Sequence, residues 1–400
     1  MTFETLAHKR KFLVSIFLFG MFCCNLTLFI RCIPSLRKGY QDFTIYYTSA
    51  LLVRQGKAAA LYDAAVQYQT QLAFATVPEP KASLPYNHPP FEALLFVPFT
   101  WMRYWYAYLF WTALNVFMVA ASALLLRRFQ RIRELSPLLL ALACMGYFPI
   151  AIGMVLGQDV FLLLLLMVLA LISLDRGRDE VAGVWLAIGL FRPHMILPLA
   201  LLLAIRRWRL LIGFAPVALG LGIISALIAG WTWPLEFLRF VGRVEEIWRH
   251  DLGPQQAPNL RGLFGYLPGI RNFVPLTFVL IAISSLAVLV LAVRRIGKGN
   301  DSVSYLFCLA IVTTILVSFH ALWYDFTFLL PMVLFMIASL MTSGPREIGA
   351  VRVALLFFLF LSPLYIYLAM EVHRFFWFSL PLLGLFALLL RMPEPAVDPA

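Results

Sequence analysis

Charge is what this chain has least of. Asp, Glu, Lys and Arg make up 13% of its 400 residues and hydrophobic side chains 62%, whereas a soluble globular domain carries about 25% charged residues. With a mean hydropathy of +0.86, a water-soluble globular fold is excluded. Cysteine is also scarce. Cys23, Cys24, Cys32, Cys144 and Cys308 lie mostly inside apolar runs and form no CxxC or Cys/His spacing, which excludes a disulfide framework and a cysteine zinc site. A secretory cleavage site is missing too. Lys9, Arg10 and Lys11 precede an apolar run from Phe12 to Ile30 that is longer than a signal-peptide core and lacks a small-x-small site, so an uncleaved signal anchor with a cytoplasmic N-terminus is expected. Low-complexity segments and internal repeats are absent. The net charge of +12 comes from short basic clusters between apolar runs, the positive-inside pattern, so no nucleic-acid partner is expected.

What the chain has is long apolar runs, too long and too uniform for barrel strands. With roughly 20 residues needed per span, helices are expected near 12–31, 104–126, 136–156, 160–174, 210–230, 272–293, 303–319, 325–342, 352–370 and 375–391. The stretch from Val181 to Ile205 is different. Arg176 and Arg178 precede it, Arg206, Arg207 and Arg209 follow it, and Arg192-Pro193-His194 sits in its middle. That predicts two half-helices with the polar triplet at the turn, facing protein or water. A single span would invert everything downstream. With the hairpin, every short cytoplasmic loop is basic and both termini are cytoplasmic. The long loops 32–103 and 231–271 then lie outside, with Trp101, Trp105, Trp231, Trp233, Trp323 and Trp377 as an aromatic belt. The expectation is one all-α polytopic membrane domain over residues 1–392, with about 10–12 membrane helices and a disordered cytoplasmic tail at 393–400. Within the first loop, Asp42 to Gln55 is expected to form an amphipathic helix stopping near Gly56, and Phe91 to Met102 to lie in or re-enter the interface.

This topology gathers polar residues on the outer face: Asp42, the Tyr86-Asn87-His88 turn, Gly157-Gln158-Asp159, Arg192 with His194, Gln255 to Arg261, and His320 through Asp325. An enzyme working at the outer leaflet needs such a convergence, whereas a transporter places its polar groups near mid-membrane, usually in two related halves. Asp42, in Gly39-Tyr40-Gln41-Asp42-Phe43-Thr44-Ile45-Tyr46-Tyr47, is a candidate general base for an acceptor hydroxyl, or else a solvated acid or helix N-cap. Arg192 and His194 suit a phosphate; the bland reading is snorkelling or a structural pair with Asp159. His320, Asp325 and the Gln158-Asp159 turn each also read as ordinary helix-end residues.

The order Asp42-Phe43-Thr44-Ile45-Tyr46-Tyr47, Gly56, Leu61-Tyr62-Asp63, Tyr86-Asn87-His88-Pro89-Pro90-Phe91 and Pro98 resembles the start of glycosyltransferase family 87, which contains polyprenyl-phosphate-mannose-dependent mannosyltransferases. Gly157-Gln158, Arg192-Pro193 followed by Arg206-Arg207-Trp208-Arg209, Gln256 with Asn259, and His320 before Tyr324-Asp325 are similar to later parts of that family. Two positions depart from its pattern: Arg192 stands where some members carry lysine, and Asp159 where a neutral residue is more usual.

The resemblance implies a C-type glycosyltransferase fold with Asp42 as the catalytic aspartate, a polyprenyl-phosphate sugar donor and inversion at the anomeric carbon. Arg192, His194 and His320 would then offset charge on the departing phosphate. Tyr86, Asn87, His88, Gln158, Asp159, Gln256, Asn259, Tyr324 and Asp325 would contact sugar or acceptor. The chain lacks the Asp-x-Asp signature of nucleotide-sugar enzymes, and neither a metal nor any other cofactor is expected. The implied partners are the lipid-linked donor, a glycan or glycolipid acceptor and membrane lipids, at the external face of a bacterial plasma membrane. A transporter or lipid flippase, and a non-catalytic subunit for envelope-glycan assembly, are the competing readings.

Overall fold

The computed structural model describes residues 3–39, 41–75, 84–247, 254–267, 269, 273–298, 301–342 and 349–391; the tail expected to be disordered lies outside them, as does Tyr40. Among the described residues the chain is helical, with no strand.

Helix α1 (Phe3–Arg37) turns Phe12, Leu13, Ile16, Phe19 and Ile30 outward. The first loop then folds into α2 (Phe43–Arg54), α3 (Ala64–Leu72) and α4 (Pro90–Phe96), the last running into a 3-10 turn at Val97–Trp101. Next come α5 (Tyr104–Leu126), the short α6 (Gln130–Arg133), α7 (Pro137–Gly146), α8 (Phe148–Leu156) and α9 (Val160–Asp175). They are followed by α10 (Asp179–Ile188), α11 (Pro193–Ala204), α12 (Leu210–Ala229) and α13 (Trp233–Ile247). The rest is α14 (Leu260–Tyr266), α15 (Val274–Lys298), α16 (Val303–Val317), a 3-10 segment Trp323–Leu329 leading into α17 (Leu330–Thr342), α18 (Ala350–Phe360), α19 (Ser362–Ile366) and α20 (Ser379–Arg391).

Among the described residues five helices are long and apolar enough to cross a membrane: Lys9–Arg37, Tyr104–Leu126, Leu210–Ala229, Val274–Lys298 and Trp323–Thr342. Two bent pairs raise the number to seven. The expected run 136–156 is one such pair, α7 and α8 meeting at 61°, and 352–370 is the other, bent by 59°. Four further apolar helices, at Val160–Asp175, Pro193–Ala204, Val303–Val317 and Phe375–Arg391, are shorter than 18 residues, so a total of ten or more requires counting them. Helices α9 and α16 are buried along nearly their whole length, as helices apolar on every side are when they stand at the centre of a bundle. α15 buries only Val288, Ala292 and Ile296 and lies at the rim.

The segment around Arg192 is a hairpin. Asp179 at the start of α10 faces Arg207 beyond the end of α11 at 3.5 Å, and Glu180 faces Arg209 at 2.7 Å, so the two ends of the segment meet and Arg192 is at its apex. At 10 residues, α10 rises about 15 Å, half of a bilayer core. The arm is clamped by backbone contact with α12, since a Cβ on Gly183 would stand 1.9 Å from the Leu210 carbonyl oxygen. Small residues permit such approach between apolar helices.

The first loop differs in one respect from its reading as interfacial pieces. Helix α2 has the expected bounds but is buried on most sides, with Tyr46 stacked on Phe96 of α4 at 4.7 Å. Leu94, Leu95 and Trp101 remain exposed, the face an interfacial segment would show to lipid.

Candidate active site

Five separate stretches meet at the apex of the hairpin. The Gly157-Gln158-Asp159 turn is the first. Gly157 ends α8 in the left-handed region (φ 65°), and a Cβ there would lie 2.8 Å from the Cβ of Phe43, so both the backbone sign and the close approach of α2 require glycine. Helix α5 holds the turn: Trp111 Nε1 donates to the Gly157 carbonyl at 2.9 Å and Asn115 Nδ2 to that of Gln158 at 3.2 Å. These bonds leave the side chains of Gln158 and Asp159 free to face inward, and Asp159 makes no side-chain cap to α9.

Arg192 caps α11, with Pro193 at the first helical position. Its guanidinium is 3% exposed and binds three partners. Nε and Nη2 donate to Asp159 Oδ1 at 2.8 and 2.5 Å, Nη1 to Asp325 Oδ1 at 2.8 Å, and Nη2 to Gln158 Oε1 at 2.5 Å. Asp325 is fixed from its other oxygen, which accepts from the Leu322 N–H at 2.8 Å, while Tyr147 anchors the 3-10 segment by donating to the Phe326 carbonyl at 2.8 Å. The Tyr324 ring lies 5.3 Å from the guanidinium carbon.

Asp42 joins the cluster through Gln158. Because Gln158 Oε1 accepts from Arg192 and from Tyr46 Oη at 3.0 Å, the amide can point only its NH2 toward Asp42, and Nε2 donates to Asp42 Oδ2. Asp42 makes no cap bond to α2, which removes the N-cap reading. Of the four carboxylates gathered here, Asp159, Asp325 and Glu92 are 0% exposed and Asp42 alone keeps a share of solvent. Burial pushes its carboxyl up to about 6, against the Gln158 hydrogen bond and the Arg192 charge. It is therefore ionised at neutral pH yet more basic than an ordinary carboxylate, near the optimum for a general base.

His88, in the turn before α4, lies 2.9 Å by Nδ1 from Glu92 Oε2 and 3.8 Å from Asp159 Oδ2. Burial opposes charge on His88, but Glu92 and Asp159 outweigh it and raise its pKa. The same surroundings drive the two acids apart. Asp159 is held low by Arg192 and His88 although burial works the other way, and Glu92 is pushed up by burial. His194 and His320 pack edge to face at 5.9 Å. Burial and the nearby Arg192 lower His320 to about 4, so it is neutral and offers an N–H rather than a charge.

Asp42, His88, Gln158, Asp159, Arg192, Tyr324 and Asp325 thus come together, with His194 and His320 as an adjoining pair. Tyr86 supports the turn from behind, its hydroxyl donating to the Pro89 carbonyl at 2.7 Å while its ring stacks on His88 at 5.7 Å. Asn87 is half-buried beside it. Gln256 and Asn259 are engaged elsewhere. Gln256 donates to the Ala369 carbonyl at 2.9 Å, and Asn259 caps α14 and donates to the Ser318 carbonyl at 2.7 Å, bracing the loop that carries His320. Two site residues had gone unassigned. Tyr46 lies one helical turn after Asp42, and Glu92 is the lone acid in an apolar run four residues after His88; a lone acid in such a run signals a partner.

A polytopic helical membrane protein with a partly exposed basic carboxylate at the edge of a buried ionic cluster has the makings of an enzyme for a membrane-bound substrate. The sequence model of glycosyltransferase family 87 matches residues 86–319, more than half of the chain, which therefore belongs to that family and is a glycosyltransferase. The match contains His88, Glu92, Gln158, Asp159, Arg192 and His194; Asp42, His320 and Asp325 lie outside it. No curated protein and no solved structure matches the chain.

Proposed function

We propose that the chain transfers a sugar, mannose or another hexose or pentose, from a polyprenyl-phosphate donor to a glycan or glycolipid acceptor at the external face of a bacterial plasma membrane. The observation that carries this reading is the relay Arg192, Gln158, Asp42, which aims the one partly exposed carboxylate of the cluster. Asp42 takes the proton of the acceptor hydroxyl as that oxygen bonds to the anomeric carbon. The bond from that carbon to the phosphate oxygen breaks, and polyprenyl phosphate leaves with the electron pair. Four of the five Arg192 N–H directions are taken up by Asp159, Asp325 and Gln158. The donor phosphate is therefore met by the remaining Nη1 N–H and the imidazoles of His194 and His320. The sugar hydroxyls are left to Asn87 and the rim of the Gln158-Asp159 turn, with Tyr86 holding the Asn87-His88 turn from behind.

The test is an assay of purified protein against a panel of polyprenyl-phosphate sugars, nucleotide sugars and candidate acceptors. Product formation from a lipid-phosphate donor is expected. Use of nucleotide sugars alone, or movement of the lipid across vesicles without bond cleavage, overturns the reading.

Gln158→Leu removes the hydrogen bond that favours ionised Asp42. The acid limb of kcat/KM, expected near pH 6 in the wild type, then moves to higher pH, with turnover down about tenfold, since a hydrogen bond to a charged group is worth about 1.5–3 kcal/mol. An unchanged pH profile would separate Gln158 from the base. For sidedness, cysteines replacing the exposed Trp101 and Trp231 are expected to react with an impermeant thiol reagent in intact cells, and one replacing Lys298 is not. The reverse pattern inverts the proposed orientation.

A further inference from the structure

We propose that His88, Glu92 and Asp159 form a binding site for one divalent cation of the Mn2+ or Zn2+ class, next to the Asp42 carboxylate but not sharing it. One ligand atom from each lies within 4.8 Å of the others, and all three residues are buried. Proximity alone would not suffice. The second observation is that His88 Nδ1, both oxygens of Glu92 and Asp159 Oδ2 are buried and make no hydrogen bond of proper geometry among the described residues, although Nδ1 stands 2.9 Å from Glu92 Oε2. Buried polar atoms are almost always satisfied, and burying charged ones unsatisfied is costly; here the unsatisfied atoms face one another.

The charge balance points the same way. Asp42, Glu92, Asp159 and Asp325 set four carboxylates against one guanidinium and the His88 imidazole, and Arg192 reaches Asp159 only through Oδ1, leaving Oδ2 turned to His88 and Glu92. Donors bound to one first-row ion at about 2.0–2.2 Å stand about 3–3.5 Å apart. The separations from His88 Nδ1, 2.9 Å to Glu92 and 3.8 Å to Asp159, bracket that spacing.

One imidazole with two carboxylates favours Mn2+ or Zn2+ over Mg2+ and Ca2+, which prefer all-oxygen sites. The turn that carries the imidazole is held, and its ring is packed, as well. Tyr62 Oη donates to the His88 carbonyl at 2.9 Å, and the Tyr46 ring packs edge-on against His88 at 5.4 Å. This site departs from the expectation, drawn from the sequence, that no metal is required.

The test uses the purified full-length protein in detergent, stripped with a chelator and titrated with Mn2+ while free Mn2+ is read by electron paramagnetic resonance. One Mn2+ per chain is expected, displaced by Zn2+. Pulsed spectra of the bound ion are expected to show coupling to an imidazole nitrogen, which His88→Ala abolishes. Glu92→Gln is expected to weaken binding at least about tenfold, since even outer partners of a metal site contribute that much. The wild-type nitrogen coupling does not depend on how the variants fold, and none of these readouts requires turnover, so the site stands or falls apart from the donor assignment. No stoichiometric binding to folded wild type, as when Glu92 and Asp159 share a proton instead, or bound Mn2+ without nitrogen coupling, overturns the proposal.

Discussion

Asp42→Asn is expected to lower sugar transfer by about 10²–10⁴-fold, the range a positioned general base contributes, while donor binding and folding persist. The substitution keeps the shape of the side chain and removes only its capacity to take a proton. Folding should survive because Asp42 is the most exposed of the four clustered carboxylates and caps no helix. The loss should appear in kcat more than in KM, because Asp42 acts on the acceptor hydroxyl only as the bond forms. Transfer assayed alongside donor binding checks this, and near-normal turnover in folded Asp42→Asn would remove Asp42 from the reaction.

Arg192→Met is expected to cost stability as well as activity. Its guanidinium is the partner of two fully buried carboxylates, and breaking a buried pair by removing one member destabilises by about 3–5 kcal/mol because an uncompensated charge is left behind. Adding Asp159→Asn and Asp325→Asn to Arg192→Met should recover more than half of the loss in thermal unfolding, since the penalty arises from the stranded carboxylates rather than from the missing cation. Activity should not return with stability, because Gln158 loses the donor that orients it toward Asp42. Wild-type stability in Arg192→Met alone would mean that the cluster is not held as an ionic unit.

Much of this was legible in the sequence. The helix at 104–126 has the bounds its apolar run predicts, and the hairpin follows from charges on both flanks of a polar triplet, which lipid would not tolerate in one span. Bends were not legible, because an apolar run looks the same whether the helix is straight or broken. Pro149 and Pro363 lie just after the breaks in 136–156 and 352–370, yet Pro216 sits inside the continuous α12, so proline alone does not decide. The polar groups could be assigned to one face but not paired. Nothing in Gln256 or Asn259 tells that their amides are spent on carbonyls of neighbouring loops. Glu92 was hidden because the Pro89-Pro90 step obscures that His88 and Glu92 stand one helical turn apart. The alternative pairing of Arg192 with Asp159 proves to be real, and it leaves the phosphate-binding role resting on one remaining N–H and two imidazoles.

The central claim is that Asp42 acts as a base in a single displacement. The most direct measurement is the anomeric configuration of the product, read by nuclear magnetic resonance against that of the polyprenyl-phosphate donor. Inversion is predicted, because the acceptor oxygen attacks from the face opposite the departing phosphate while Asp42 takes its proton. Retention would contradict the account, since it requires two displacements and would make Asp42 a nucleophile or a bystander.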